Sequence, residues 1–226
     1  NFLKFLSKKL NEKIGLNWYL VDPKKIGNIE LIKNDGENRR YLTRSKYLTV
    51  DSELIKEMQS LRILKNRKLE KFTKDSHLKY FIDFYNEKLC LSNRELWFTQ
   101  SLNFFQKNSL VFLDPDNGLS KKKNNNKNSI KYVFLDEMIK YNQIGKTLIY
   151  NQFQSFNKQH KVLLSEIVMF LRSNNLNVEL PIIRNRTSPN TFFITIGDDE
   201  KLNLRLRKIY KRFKVTDYDD LELITV

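Results

Sequence analysis

Cysteine is nearly absent from this chain: Cys90 stands alone, which excludes an intramolecular disulfide and any cysteine-based zinc site. Histidine is almost as rare, and neither His77 nor His160 has a second His or Cys at metal-motif spacing, so a zinc site is not expected. Glycine is scarce too, and upstream of the best strand only Gly15, Gly27 and Gly36 are available, so no Gly-rich cofactor turn can be read there. No apolar run reaches the roughly 18 residues of a transmembrane helix. The opening NFLKFLSKKLNEKIG carries charges throughout rather than a signal-peptide core, and the expected compartment is the cytoplasm.

What is abundant is positive charge and aromatic residues. There are 41 Lys plus Arg against 26 Asp plus Glu, giving a net charge of +15 and a pI near 9.7. A surface that basic fits a polyanionic partner, DNA or RNA. The plainer explanation is an AT-rich genome writing Lys and Asn onto any solvated face. With 40% hydrophobic residues, 16 Phe and 10 Tyr, the 226 residues are enough for a real core in one large domain or two small ones.

The sharpest local signal is Ser109–Gly118, SLVFLDPDNG. An apolar run stops abruptly at Asp114, Pro115, Asp116, Asn117 and Gly118, as a buried strand does when it delivers a loop. In an open α/β sheet, ligands sit outside the carboxyl ends of the strands, so this strand would aim its acids where chemistry happens. Asp114 and Asp116 could reach one cation, with Asn117 as a neutral helper, and such hard oxygen ligands suit Mg²⁺ or Mn²⁺. An ion there would activate water and neutralise a phosphate during phosphodiester cleavage. The structural alternative is a turn whose acids bond only to its own backbone.

Residues 2–13 place Phe2, Phe5, Leu6 and Leu10 on one helical face. Asn17–Val21 reads as a strand, followed by a polar loop with Asp35 in an Asn-Asp-Gly turn. Asp51 caps a helix to about Arg62, and Ser92 with Glu95 reads as a capping box for a helix through Phe105. Residues 63–90 give no clear reading. Residues 119–129, including SKKKNNNKNS, should form a mobile loop because they have almost nothing apolar to bury.

KYVFLDEMIKY then turns from an extended piece into a helix at Asp136-Glu137, ended by Gly145. Strands follow at Thr147–Tyr150, Asn177–Ile183, Thr191–Ile196 and near Leu221–Val226, with helices at Asn157–Asn174 (Val162, Leu163, Ile167, Phe170 and Leu171 inward) and Glu200–Phe213. The alternation predicts a single α/β domain with a mainly parallel, Rossmann-like sheet. Its βαβ core spans residues 91–226, and residues 1–90 form an N-terminal helical and loop extension.

Asp136 and Glu137 are expected near the same crevice, Asp136 as a metal ligand and Glu137 with Lys131 as catalytic groups. The helix dipole alone also favours acids in that first turn. Lys146, Tyr150 and Gln152 are further candidates for phosphate or base contacts. Asp198, Asp199 and Glu200 are what capping the next helix requires. In RLRKIYKRFK, Arg205, Arg207, Lys208, Lys211 and Arg212 would neutralise phosphates while Tyr210 and Phe213 stack on bases, unless those aromatics simply belong to the core.

VFLDPDNGL followed by KYVFLDE, with NWYLV and NDG earlier, resembles a family of uncharacterised bacterial and phage-borne proteins, a likeness that imports no activity. The strand with D-x-D and Gly is similar to the metal motif of Toprim nucleases and topoisomerases. That resemblance implies Mg²⁺ on Asp114 and Asp116, plus a glutamate on an earlier strand. The order helix, apolar strand, Asp-Pro, helix, strand resembles the target-site half of nucleic-acid methyltransferases, where a D/N-P-P-Y loop holds the base. Asp114-Pro115 would match it, but Asp116-Asn117 replaces Pro-Tyr and no Gly-rich turn for S-adenosylmethionine precedes it. The expected function is a metal-dependent nuclease, with methyl transfer or non-catalytic nucleic-acid binding as alternatives.

Overall fold

The computed structural model describes residues 1–22, 51–63, 69–123, 126–155, 157–186, 190–217 and 221–225. Asp35 and its turn lie outside these residues. The described residues build a seven-stranded sheet. Its strands are β1 (Ile14–Asn17), β2 (Ile82–Tyr85), β3 (Leu110–Leu113), β6 (Thr147–Phe153), β7 (Ile182–Asn185), β8 (Thr191–Ile196) and β9 (Leu221–Ile224), in the order β2-β1-β3-β6-β8-β7-β9. The first four in that order are mutually parallel, and β8, β7 and β9 each run antiparallel to their neighbours. The sheet is therefore mostly parallel, as expected, but mixed rather than purely parallel. β7 and β8 follow each other closely enough to pair as a hairpin, whereas every parallel step needs a crossover.

The helices are α1 (Phe2–Leu10), α2 (Ser52–Ile63), α3 (Leu69–Asp75), α4 (Arg94–Phe104), α5 (Leu135–Gln143), α6 (His160–Ser173) and α7 (Glu200–Asp217). Side-chain alternation splits the core in two. Ile14, Leu16, Leu110, Phe112 and Ile149 point to the side of α1 and α7, where they meet Leu6, Leu10, Leu206 and Tyr210. Val111, Leu113, Leu148 and Tyr150 point the other way, to Trp97, Met138, Tyr141 and Leu164 of α4, α5 and α6. Both faces being covered explains why β1 and β3 are buried at every position.

Several sequence expectations shift here. The first strand is Ile14–Asn17 rather than Asn17–Val21, because Trp18 and Tyr19 belong to the turn, with Tyr19 at φ 49°. The N-terminal portion is no appendage, since β1 pairs with both β2 and β3. Ser92 does not cap α4; Leu91–Asn93 is a 3₁₀ turn, and the side chain of Asn93, the cap residue, makes no capping bond. The stretch expected to be a mobile loop holds β4 (Leu119–Ser120), paired parallel with β5 (Val133–Phe134), and leads into a 3₁₀ turn at Lys127–Lys131 that buries Ser129 and Ile130. Helix α6 turns Leu164, Ile167, Val168 and Leu171 inward and leaves Val162 exposed. The strand expected at Asn177–Ile183 forms as Ile182–Asn185.

Candidate active-site crevice

From β1 the chain crosses to β2 on one side of the sheet, then returns past β1 to β3 on the other. The two connections diverge between β1 and β3, and the crevice outside the carboxyl ends of those strands is where such sheets bind ligands. Asp114 stands there. Its backbone N–H donates to Asn17 O at 2.9 Å, extending the β1–β3 ladder by one bond. Its Oδ1 accepts from Asn151 Nδ2 at 3.1 Å, and the two residues follow Leu113 and Tyr150, which are paired in register. By alternation both side chains face the side of α1 and α7.

Asp114 is partly buried, and loss of water raises its carboxyl to a pKa of about 6. The Asn151 hydrogen bond opposes that rise and the Asp116 charge adds to it. Asn151 is itself buried, and its Oδ1 has no hydrogen-bond partner among the described residues. An acceptor left empty beside a carboxyl that resists ionisation is a pair of hard oxygens suited to a cation or a donor group.

The rest of the loop is anchored from behind. Asn117 N donates to Lys131 O at 2.9 Å, Val133 N to Gly118 O at 3.0 Å, and Leu119 N to Gln152 Oε1 at 3.0 Å. Gly118 sits at φ +81°, and a Cβ there would run into the Gln152 side chain. Only glycine meets both demands. Asp116 and Asn117 remain exposed at the tip.

The other expected acids are elsewhere. Glu137 is buried, and both its oxygens are in use: Oε1 accepts from Arg94 Nε at 2.7 Å, and Oε2 accepts from Arg94 Nη2, Tyr19 Oη and Phe134 N at 2.8, 3.1 and 3.0 Å. It is a structural anchor at the start of α5 rather than a catalytic group. Asp136 meets Lys123 Nζ at 3.3 Å on the wall of an open cleft of about 630 Å³, whose lining includes neither Asp114 nor Asp116. The expected ligand set of Asp114, Asp116, Asn117 and Asp136 is thus not assembled with Asp136 in it. The glutamate that the Toprim resemblance implies has no counterpart at the end of β1, where Asn17 is buried and bonded to Tyr19 N and Tyr141 Oη.

Among the remaining candidates, Tyr150 is fully buried on the opposite face, and Lys146 donates to Gln106 O at the other end of β6. Asp199 caps α7 through Leu202 N, as expected. On α7, Tyr210 and Phe213 are core residues and cannot stack on bases. Arg205 donates to Leu10 O and Arg207 to Glu179 O, while Lys208, Lys211 and Arg212 are exposed.

One cluster escaped sequence reasoning. Among the described residues, Asp51, Glu53 and His77 bring ligand atoms within 4.8 Å of one another and form a group that could hold a metal ion. Lys4 Nζ already occupies its centre, 2.9 Å from Asp51 Oδ1, 3.4 Å from Glu53 Oε2 and 2.7 Å from His77 Nε2. Because Nε2 accepts from an ammonium, Nδ1 carries the ring proton and donates to Glu57 Oε1 at 2.6 Å. Burial pushes the Asp51 carboxyl up, but the bonds from Lys4 and Leu54 N outweigh it and hold the carboxyl below its usual range. No spacing rule joins residues 4, 51 and 77; the clue available was only Asp51 as a cap. Asn151 did carry a signal, since it ends an apolar strand as Asp114 does.

No described helix is long and apolar enough to cross a membrane. Compared with family models and with curated proteins, the chain matches none.

Proposed function

We propose that this protein is a nucleic-acid enzyme of phosphodiester chemistry, using Mg²⁺ or Mn²⁺ held by Asp114 and Asp116 in the switch-point crevice. The observation that carries the reading is Asp114 itself, a carboxyl reluctant to ionise, beside an unpartnered buried amide oxygen, at the strand ends where ligands bind. Mg²⁺ needs only one or two carboxylates, because it keeps waters and takes substrate phosphate oxygens as further ligands. Two acids at the crevice therefore suffice without Asp136 or Glu137. Bound there, the ion would supply a hydroxide nucleophile and neutralise the phosphate. The chain's own part is to fix that position. Asn151 orients the Asp114 carboxyl, Gln152 and Gly118 set the course of the loop, and the Lys131 backbone carbonyl anchors its tip by accepting from Asn117 N.

A second reading, methyl transfer to a base, is favoured by Asp114-Pro115 leaving the sheet at the crevice, as that resemblance implies. Against it, the turn after β1 carries Tyr19 at φ 49° with its ring buried, where nucleotide-binding turns use glycine to let a ligand approach. Titration calorimetry separates the two. Binding of Mg²⁺ or Mn²⁺ that Asp114→Asn removes, together with metal-dependent cleavage of DNA or RNA, supports the first. Binding of S-adenosylmethionine supports the second. A broad substrate screen without cleavage, or an Asp114→Asn protein that cleaves at the wild-type rate, sinks the first.

A further inference from the structure

We infer that the paired outer faces of α1 and α7 form a binding surface for double-stranded nucleic acid, held by its phosphate backbone and led toward Asp114. The inference rests on the nucleic-acid reading above and adds the form of the partner and its path. Helices α1 and α7 lie side by side and antiparallel: Arg205 of α7 donates to Leu10 O at the end of α1, while Phe213 meets Phe2 and Phe5 at its start, at 5.0 and 5.1 Å between ring centroids. Neither segment 2–10 nor segment 201–213 contains an acid. Lys8 and Lys9 are exposed on α1, and Lys201, Lys208 and Lys211 on α7. At 1.5 Å per residue the α7 lysines span about 15 Å, enough for several phosphates of a duplex.

The exposure of the rings on this surface decides between strands: among the described residues, the partly buried Phe5 and Phe81 lie beneath Lys9 and Lys8 rather than standing open to a base. Tyr210 and Phe213 are buried beneath this surface, and among the described residues of α7 the large apolar side chain that stands out is Leu204. Single strands are held by bases stacking on exposed aromatics, whereas duplexes are held by cations on phosphate. A lysine face whose rings lie beneath its own cations therefore fits a duplex, read without sequence preference.

The surface also has a direction. Phe2, which touches Phe213, stacks on Phe193 at 5.2 Å between centroids. Phe193 is the cross-strand partner of Asn151, which holds Asp114. The carboxyl-terminal part of α7 and the start of α1 thus lie at the crevice end of the sheet, on the face toward which Asp114 and Asn151 point.

The test is fluorescence anisotropy with a labelled 20-base-pair DNA duplex and the matching single strand, at 50 to 200 mM salt. The proteins are wild type, a variant with Lys8, Lys9, Lys201, Lys208 and Lys211 changed to Gln, and a control with Lys158 and Lys161 of the opposite side changed to Gln. The duplex is expected to bind at least about tenfold tighter than the single strand. The five-lysine variant should lose at least about 100-fold in duplex affinity, and its plot of log affinity against log salt should flatten by about four units. Circular dichroism melts confirm that both variants fold. Single-strand binding as tight as duplex binding overturns the inference, as does loss of binding in the control but not in the five-lysine variant. If no nucleic acid binds wild type, the inference falls with the nucleic-acid reading, whereas intact Mg²⁺ binding at Asp114 would show the crevice chemistry standing apart from it.

Discussion

Arg94 grips Glu137 at two points, Nε to Oε1 at 2.7 Å and Nη2 to Oε2 at 2.8 Å, with both side chains almost fully buried. The same guanidinium donates to Ser129 O and Tyr132 O and lies over the Phe134 ring, 3.8 Å from its centroid. One residue of α4 thereby holds the 3₁₀ turn, β5 and the start of α5. Removing one partner leaves a buried charge uncompensated, so Arg94→Met alone or Glu137→Leu alone should cost about 3–5 kcal/mol. The double replacement should cost clearly less than the two singles together. Urea unfolding followed by circular dichroism measures all three, and strict additivity would remove the pair from the account.

Asp114→Asn should stabilise the fold at neutral pH while abolishing metal binding. The folded carboxyl has its pKa raised to about 6, above its ordinary value. Its favourable contribution is therefore complete below about pH 4, where it is protonated folded or unfolded, and is lost as pH rises through 6. Asparagine keeps an oxygen for Asn151 and never ionises. The gain should be on the order of 2 kcal/mol at pH 8 and vanish near pH 4, allowing for partial exposure. Melting temperatures across that range are the check, and a difference independent of pH would contradict the assignment.

Gly118→Ala combines a left-handed backbone with a collision against Gln152. A loss above about 1 kcal/mol is expected. Adding Gln152→Ala should recover the part due to collision and leave the part due to φ, a coupling that a double-mutant cycle reads directly. If the second change recovers nothing, Gln152 does not set the course of the loop.

Lys4→Ala should turn the Asp51, Glu53 and His77 group from an ammonium clamp into a metal site, since a histidine nitrogen and two carboxylates are zinc ligands once the internal cation is gone. Zinc should raise the melting temperature of this variant more than that of wild type, and His77→Ala in the same background should abolish the difference. An equal response of both proteins would show that Lys4 is not standing in for a metal.

How much of this was legible depended on the distance over which each feature is encoded. Strand β3 and its acidic loop were visible because an apolar run and its terminators are adjacent in sequence. The helix at Asp51 was visible through its cap, which Leu54 N indeed uses. Glu137 looked available because its partner, Arg94, lies on another helix, and nothing local marks an acid as already spent. Tyr210 and Phe213 showed the same ambiguity on one helix: aromatics spaced among cations fit stacking and packing equally until the sheet beneath them is known. The reversal of β8 was hidden for another reason, since a short strand-turn-strand segment has the same apolar signature whichever way its partner strand runs.

The placement of β1 has a consequence for the order in which the molecule assembles. Ile14 and Gly15 find their partners Ile82 and Val111 roughly 70 and 100 residues away, so closing these pairs carries the largest entropic cost in the sheet. The β7–β8 hairpin, by contrast, closes over a few residues. The β7–β8 part of the sheet can therefore form early, and the seam between β1 and β3 is sealed late. That seam is where the crevice lies. In pulse-labelled refolding, amides at Asp114 and along β1 should consequently gain protection after those of β7 and β8, with the crevice coming into being only as the fold completes.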